Sequence, residues 1–306
     1  MTSARARRLC LRIVLVALLT LVTMELLLQG AGLLVRALSP RGSAAAGDSS
    51  AITILCVGDS HTYGLPLAKE DSYPAQLERA LSERYPEREF RVVNLGIPGL
   101  NSGYTANRLE RQGMQLRPDL VMVWVGINNQ WNAIEASGPE AEGIWPAIRR
   151  ALMPLKLFRL ASIAWYTRTG YQYDPEQYGG WFEGELPPSG KRPAGLGRSA
   201  PPAPGLVRDL GRMAKTARAL DAAIIFVTYP MPNQRAVSLA ILSAGQRFGV
   251  PVVDSHLDFL RAFAGGNPTR DLVDLSRGMH PSRLLYSHIV DSMLPAVAGE
   301  LGLTAR

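Results

Sequence analysis

Five short apolar runs, residues 52–57, 91–95, 119–125, 222–228 and 250–254, punctuate the chain, and the stretches between them carry helical periodicity. Strands buried on both faces read as near-continuous Val/Ile/Leu runs, which is the signature of a parallel sheet covered by helices. The spacers supply that cover. Tyr73, Leu77 and Leu81 recur four apart, and Ala106, Leu109, Gly113 and Leu116 make a second apolar face. Residues 206–220 and 236–248 read as helices, and Leu285, Ile289, Met293 and Val297 stripe a last one. Strand–helix alternation of this kind predicts a five-stranded parallel sheet with helices on both faces. Ligands bind such sheets at the carboxyl ends of the strands. Ser60, Gly96 and Asn128 all fall at such ends, so positions far apart in the chain should converge there.

The first of these ends is Gly58-Asp59-Ser60-His61. A glycine turn that exposes a serine at the start of a helix presents a nucleophile, and the helix-start N–H groups face negative charge developing beside its oxygen. Taken alone, Asp-Ser after a glycine is also ordinary turn and N-cap chemistry. Company elsewhere changes the balance. The second run leads into Gly96-Ile97-Pro98-Gly99, the third into Gly126-Ile127-Asn128-Asn129, and His280-Pro281 precedes the terminal amphipathic helix.

This ordered set resembles the SGNH subgroup of the GDSL esterase and lipase family, over about residues 52 to 300. The family's blocks are a Gly-Asp-Ser turn, a glycine after the second strand, Gly-x-Asn-Asp after the third, and Asp-x-x-His near the end. The resemblance implies a flavodoxin-like three-layer α/β/α fold. It also implies Ser60 as nucleophile, His280 as its base, and an oxyanion hole made by the Ser60 N–H, the Gly96 N–H and the Asn128 side-chain amide. Histidine has the intrinsic pKa to activate a serine hydroxyl. Of the other three histidines, His61 is adjacent to Ser60 and is expected to point elsewhere, His256 follows the fifth strand, and His288 falls on a helix. Two positions depart from the family pattern: Arg277 stands where the triad aspartate would be, and Asn129 replaces the second acidic position. Asp274 is the nearest local carboxylate to His280, Asp271 is a poorer substitute, and a Ser–His dyad held by a backbone carbonyl or water is a further option. Asp59 is expected to fix the turn, and Pro281 to set the approach to the last helix.

At the other end of the chain, Arg5, Arg7, Arg8 and Arg12 precede an apolar stretch from Ile13 to Val35 that is interrupted by Glu25 and Gln29. About 20 apolar residues span a bilayer, and the arginine asymmetry favours a cytoplasmic N-terminus with the remainder outside. A transmembrane signal anchor ranks ahead of a signal peptide cleaved near Ala44-Ala45-Ala46 with secretion of the rest, and a buried cytosolic helix comes third. Glu25 is the complication, because a carboxylate mid-helix costs about 2.5–3.5 kcal/mol on insertion scales unless it is neutralised or partnered. Residues 1–41 hold six arginines against one glutamate, a net of +5 out of +7 for the whole chain. The basic balance is therefore mostly a membrane-topology signal, and no nucleic-acid partner is implied. Cys10 and Cys56 are too differently placed to pair. No CxxC or HExxH spacing occurs, so neither a metal nor a cofactor is expected. The G-x-S-x-G elbow and the phosphate-binding P-loop pattern are both missing from the sequence.

The resulting division is an N-terminal tail and helix over 1–39, a Ser/Ala/Gly-rich linker over 40–51, and a catalytic domain over 52–304 with an insertion at about 131–204. In that insertion Ile144 to Tyr166 can be helical and is both basic and apolar, whereas Tyr171 to Pro204 reads as an extended loop. The insertion could cover the active site, rest on the bilayer, or be a passive excursion. The expected activity is hydrolysis of a carbohydrate O-acyl or lipid ester at the cell envelope. A polysaccharide O-acyltransferase using the same acyl-enzyme, and a catalytically silent envelope binding or scaffold protein, are the alternatives.

Overall fold

A computed structural model describes residues 2–38, 51–130, 205–276 and 279–304, together with 148, 151–152, 154–158 and 160–161. The chain forms two compact units, residues 1–45 with 142–173 and residues 46–141 with 174–306. The linker expected at 40–51 and most of the insertion lie outside the described residues.

The first unit is built on α1 (Thr2–Leu38). Within it, Arg7–Leu34 is long and apolar enough to cross a membrane by length and composition.

The second unit is a five-stranded sheet in the order β2-β1-β3-β4-β5, every neighbouring pair parallel. The strands are β1 (Ile52–Gly58), β2 (Phe90–Gly96), β3 (Leu120–Trp124), β4 (Ala223–Val227) and β5 (Val252–Val253). This is the expected flavodoxin-like order. Going from β1 out to β2 and back across to β3 reverses direction, so right-handed crossovers place successive helices on opposite faces. On one face α3 (Tyr73–Arg84) packs with α9 (Arg283–Glu300), which also packs with α7 (Ser255–Ala264). On the other, α4 (Ser102–Leu116), α5 (Leu206–Ala219) and α6 (Arg235–Phe248) pack in series. Leu77, Leu81, Leu109, Leu285, Ile289, Met293 and Val297, all read as core from their spacing, are completely buried.

Three local features depart from the expected elements. The fifth strand shrinks to two residues, because Pro251 has no N–H to give the ladder and Asp254 turns to cap α7 by accepting the His256 N–H. A one-turn helix, α2 (Ser60–Tyr63), begins at the serine itself. After α8 (Thr269–Leu272), a short antiparallel bridge pairs β6 (Val273–Asp274) with β7 (His280–Pro281). β7 packs against α2, which sets His280 at the serine turn. Pro281 leads from it into Ser282, whose hydroxyl caps α9 by accepting the Leu285 N–H.

Two glycines are required by close approach. A Cβ on Gly58 would lie 2.1 Å from the Trp124 carbonyl oxygen and 2.2 Å from the Thr62 hydroxyl, and one on Gly96 would lie 2.2 Å from the Tyr63 nitrogen. Gly58 and Gly96 face each other in the β1–β2 register. The first turn of α2 therefore sits directly on the ends of three strands only because neither carries a side chain.

Candidate active site

Ser60 opens α2 at the carboxyl end of β1, where the strand order reverses between β1 and β3, which is the general ligand position of such sheets. The preceding Asp59 is fully buried. Its Oδ1 accepts the His61 N–H at 2.9 Å, and its Oδ2 accepts the Tyr229 hydroxyl at 2.5 Å. Asp59 thus braces the turn, as expected. Burial, with the Asp59 carboxylate adding to it, raises the Tyr229 hydroxyl well above its ordinary pKa. Tyr229 therefore stays a donor, and its oxygen also accepts the Ile127 N–H at 3.1 Å. One phenol at the end of β4 ties the serine turn to the loop that carries Asn128.

His280, on β7, is buried and its Nε2 lies 2.9 Å from the Ser60 Oγ. That is hydrogen-bond distance for direct proton transfer. The two residues are 220 positions apart in the chain. Asp274 is the cross-strand partner of His280 in the β6–β7 bridge. Directly opposed residues of an antiparallel pair project their side chains to the same face. The Asp274 Oδ1 accepts both the Ser276 hydroxyl at 2.6 Å and the Ser276 N–H at 2.8 Å. Those two bonds, with a smaller contribution from the His280 charge, hold its carboxyl below the usual range. Asp271 is not placed at the imidazole: its carboxylate lies 3.8 Å from the Arg270 Nε. Arg277 lies outside the described residues.

The expected oxyanion donors come from three loops. The Ser60 N–H is the first of α2. The Gly96 N–H donates to the Asn94 Oδ1 at 2.9 Å in this conformation. The Asn128 side-chain nitrogen donates to the Leu100 carbonyl at 3.0 Å, which fixes the plane of its amide and joins the loop after β2 to the loop after β3. Asn129, the departure from the family pattern, is buried one residue further on. Its Oδ1 accepts the Ser102 N–H at 2.8 Å and its Nδ2 donates to the Ser102 hydroxyl at 2.6 Å. The Ser102 hydroxyl in turn donates to the buried Asp209 carboxylate at 2.7 Å. Asn129 braces the start of α4, and the negative charge of that cluster sits on α5.

His61 does not point clear of the site. Its ring is buried behind His280, with ring centroids 5.0 Å apart, between Trp124 at 5.4 Å and the edge of Tyr229 at 4.8 Å. The next residue after the serine is turned about 100° round the helix, which carries it inward onto the aromatic floor. His256 lies elsewhere, its Nδ1 2.6 Å from the Pro230 carbonyl. Tyr229, Asp209 and the inward His61 are the site-building residues that sequence reasoning missed. Tyr229 alone had a signal, since it follows the fourth strand at the end where the other loops meet.

A flavodoxin-like sheet carrying a serine hydroxyl and an imidazole in hydrogen-bond contact at its carboxyl edge is the architecture of a hydrolase acting on ester bonds. The family is specific. The chain belongs to the GDSL-like lipase/acylhydrolase family, whose model matches residues 56–287. Similar solved structures include the psychrotrophic esterase EstA from Pseudoalteromonas sp., at 15% identity over 82% of this chain and 99% of that one, with a TM-score of 0.48. The acetylxylan esterase Axe2 from Geobacillus stearothermophilus, as its catalytic mutant H194A, is 18% identical over 83% and 96% of the two chains, with a TM-score of 0.49. The acetyl xylan esterase AlAXEase is 15% identical over 80% and 100%, also at 0.49. A search of curated proteins finds no match.

Proposed function

We propose that the protein is a membrane-anchored serine esterase that removes an acyl group from a carbohydrate or lipid ester at the cell envelope. The observation that carries the reading is the 2.9 Å contact between the His280 Nε2 and the Ser60 Oγ. In the first half-reaction the Ser60 oxygen attacks the acyl carbon while its proton passes to the His280 Nε2. The tetrahedral oxyanion is held by the Ser60 N–H, the Asn128 amide and the Gly96 N–H, the last of which exchanges its Asn94 acceptor for the substrate oxygen. Collapse returns the proton to the leaving alcohol and leaves Ser60 acylated. Water then attacks the acyl-serine, its proton goes to His280, and the acid departs with Ser60 restored. Exposed apolar side chains flank the reacting residues in sequence: Tyr63 after the serine turn, Ile97 after Gly96, and Leu275 after Asp274. They suit the apolar part of an ester. The anchor reading rests on the apolar helix and the arginines that precede it.

A fluorophosphonate probe followed by peptide mapping tests the chemistry: the label should sit on Ser60, and a folded protein that takes none is the silent scaffold. Rates on p-nitrophenyl esters of increasing chain length then define the acyl group. If a glycan added as acceptor captures the acyl group faster than water does, the protein is an acyltransferase instead.

Asp274 takes the role of the missing triad carboxylate in this reading, stabilising the imidazolium from the opposite strand. It is half-buried, so its effect is moderate. Asp274→Asn should lower kcat by roughly 10- to 100-fold with little change in KM. Removing an anion beside His280 makes its protonated form easier to lose, so the acid limb of the pH–kcat/KM profile should move to lower pH. A variant with reduced kcat and an unmoved limb would assign Asp274 to loop structure alone.

A further inference from the structure

Glu25 is the one acidic residue of α1, and it sits in the apolar stretch. Positions 25, 29 and 32 share one helix face. Among the described side chains of α1, the partly covered ones are Glu25, Leu28, Gln29 and Gly32, and the rest are exposed. The cover comes from the segment at 148–161, within the same compact unit. The Glu25 Oε1 accepts the Lys156 N–H at 2.8 Å and its Oε2 accepts the Leu157 N–H at 2.9 Å. The Gln29 amide donates to the Glu25 Oε1 at 2.6 Å and to the Pro154 carbonyl at 3.1 Å. Gly32 leaves room for the Lys156 ammonium, since a Cβ there would lie 1.8 Å from the Lys156 Nζ. The described residues of the segment are mostly helical, so the carboxylate accepts two backbone N–H groups of a helical stretch.

The pairing holds a hydrogen-bonded acid and amide inside the contact while it leaves a row of leucines outside it. Glu25, Gln29, Gly32 and Lys156 are partly covered together with Leu28, Leu152, Leu157 and Phe158, while Ile148, Leu155 and Leu160 face outward at 41%, 41% and 52% exposure, as do Leu26, Leu27, Leu33 and Leu34 of α1 at 59–68%. In water, packed helices bury the apolar face and expose the polar one. In lipid the preference reverses: small residues and hydrogen bonds make the helix contact, ionisable groups face inward to partners, and backbone N–H groups need internal acceptors.

We propose that the described residues 148, 151–152, 154–158 and 160–161 lie against α1 in the lipid, docked through Glu25 and Gln29, with Ile148, Leu155 and Leu160 facing acyl chains. Glu25 lies nine residues before Leu34, about 13 Å along the helix axis. The contact therefore falls in the outer leaflet if α1 spans with a cytoplasmic N-terminus, and the ammonium of Lys156, level with Gly32, lies nearer the surface, where such side chains snorkel. The proposal rests on the membrane reading of α1. The carboxylate that made α1 a doubtful span becomes the clasp that holds the insertion to it.

The test uses the full chain in phosphatidylcholine vesicles on a Cys10→Ser background. Cys56 is silent, because it is fully buried and burial pushes its thiol up to about 12. A polarity-sensitive fluorophore is placed singly at Leu18→Cys, Leu155→Cys and Leu160→Cys, and quenching by brominated acyl chains is compared with quenching by aqueous iodide. All three should emit to the blue and be quenched by the brominated lipid. Adding Glu25→Ala should shift the positions at 155 and 160 towards iodide and leave Leu18→Cys unchanged. Lipid quenching at Leu18→Cys with iodide quenching at 155 and 160 overturns the docked segment and leaves the anchor intact. Iodide quenching at Leu18→Cys overturns both. Unchanged lipid quenching at 155 and 160 in the Glu25→Ala protein overturns the clasp.

Discussion

Ser60→Ala and His280→Ala should each reduce ester hydrolysis by about 10⁴-fold or more, and the double variant should be no worse than either single one. The reason is the single hydrogen bond between the Ser60 Oγ and the His280 Nε2. A serine without a base is a weak nucleophile at neutral pH, and a base without the serine has no proton to take. Each replacement removes the same transition-state step, so the losses cannot add. Folding should survive both changes: the bracing of the turn runs through Asp59, Tyr229 and the glycines beneath α2, and neither Ser60 nor His280 carries it. Melting temperatures close to that of the parent should accompany the lost activity. Additive losses, or a His280→Ala variant that retains most of the rate, would mean that another group takes the serine proton. The buried imidazole of His61 is nearest to hand, with its ring 5.0 Å from that of His280.

The sheet and the contact between Ser60 and His280 were legible in the sequence because their signals are local. Each long strand is a continuous apolar run, and each loop at its carboxyl end carries its chemistry within four residues of the run. Ser60 and His280 could be named 220 positions apart because both stand in short ordered blocks. The supporting residues carry no such mark. Asp209 is an ordinary aspartate in the first turn of a helix, and only the packing of α4 against α5 sets it at the Ser102 hydroxyl. His61 was expected to point away, yet the one-turn α2 rotates it onto Trp124 and Tyr229. The β6–β7 bridge has only two residues a side, too short for any period to appear, and it is what sets Asp274 opposite His280. Glu25 was legible as a problem in an apolar helix. Its partners lie more than 130 residues further on.

Asn129→Asp, which would restore the carboxylate usual in the family, should destabilise this protein. The Ser102 hydroxyl has one proton, which it gives to Asp209, and a lone pair that accepts the Asn129 amide. An aspartate at 129 keeps the bond from the Ser102 N–H, loses the donor to the hydroxyl, and places a second carboxylate on a group already serving one. Asn129 is 2% exposed and Asp209 fully buried, so water cannot screen the pair. Arg208 at 3.1 Å and Arg212 at 3.8 Å already face Asp209, and Arg212 also pairs with Glu110 at 2.9 Å. A buried donor lost and a like charge gained should cost about 3 kcal/mol, a fall in Tm of roughly 6–12 °C for a domain of this size. The deficit has a pH signature. Crowding raises the folded-state pKa of one carboxylate, so the destabilisation is full above that raised value and disappears below the ordinary carboxylate range, where the added group is protonated in both states. Adding Asp209→Asn exchanges the two roles, one carboxylate accepting the hydroxyl and one amide donating to it. The double variant should regain part of the loss, with a coupling energy above about 1 kcal/mol. Recovery stays incomplete because Arg208 and Arg212 then lose the Asp209 charge, Arg212 keeping Glu110. A Tm for Asn129→Asp equal to that of the parent, or strictly additive losses in the double variant, would show that the family's missing acid has not been relocated to α5.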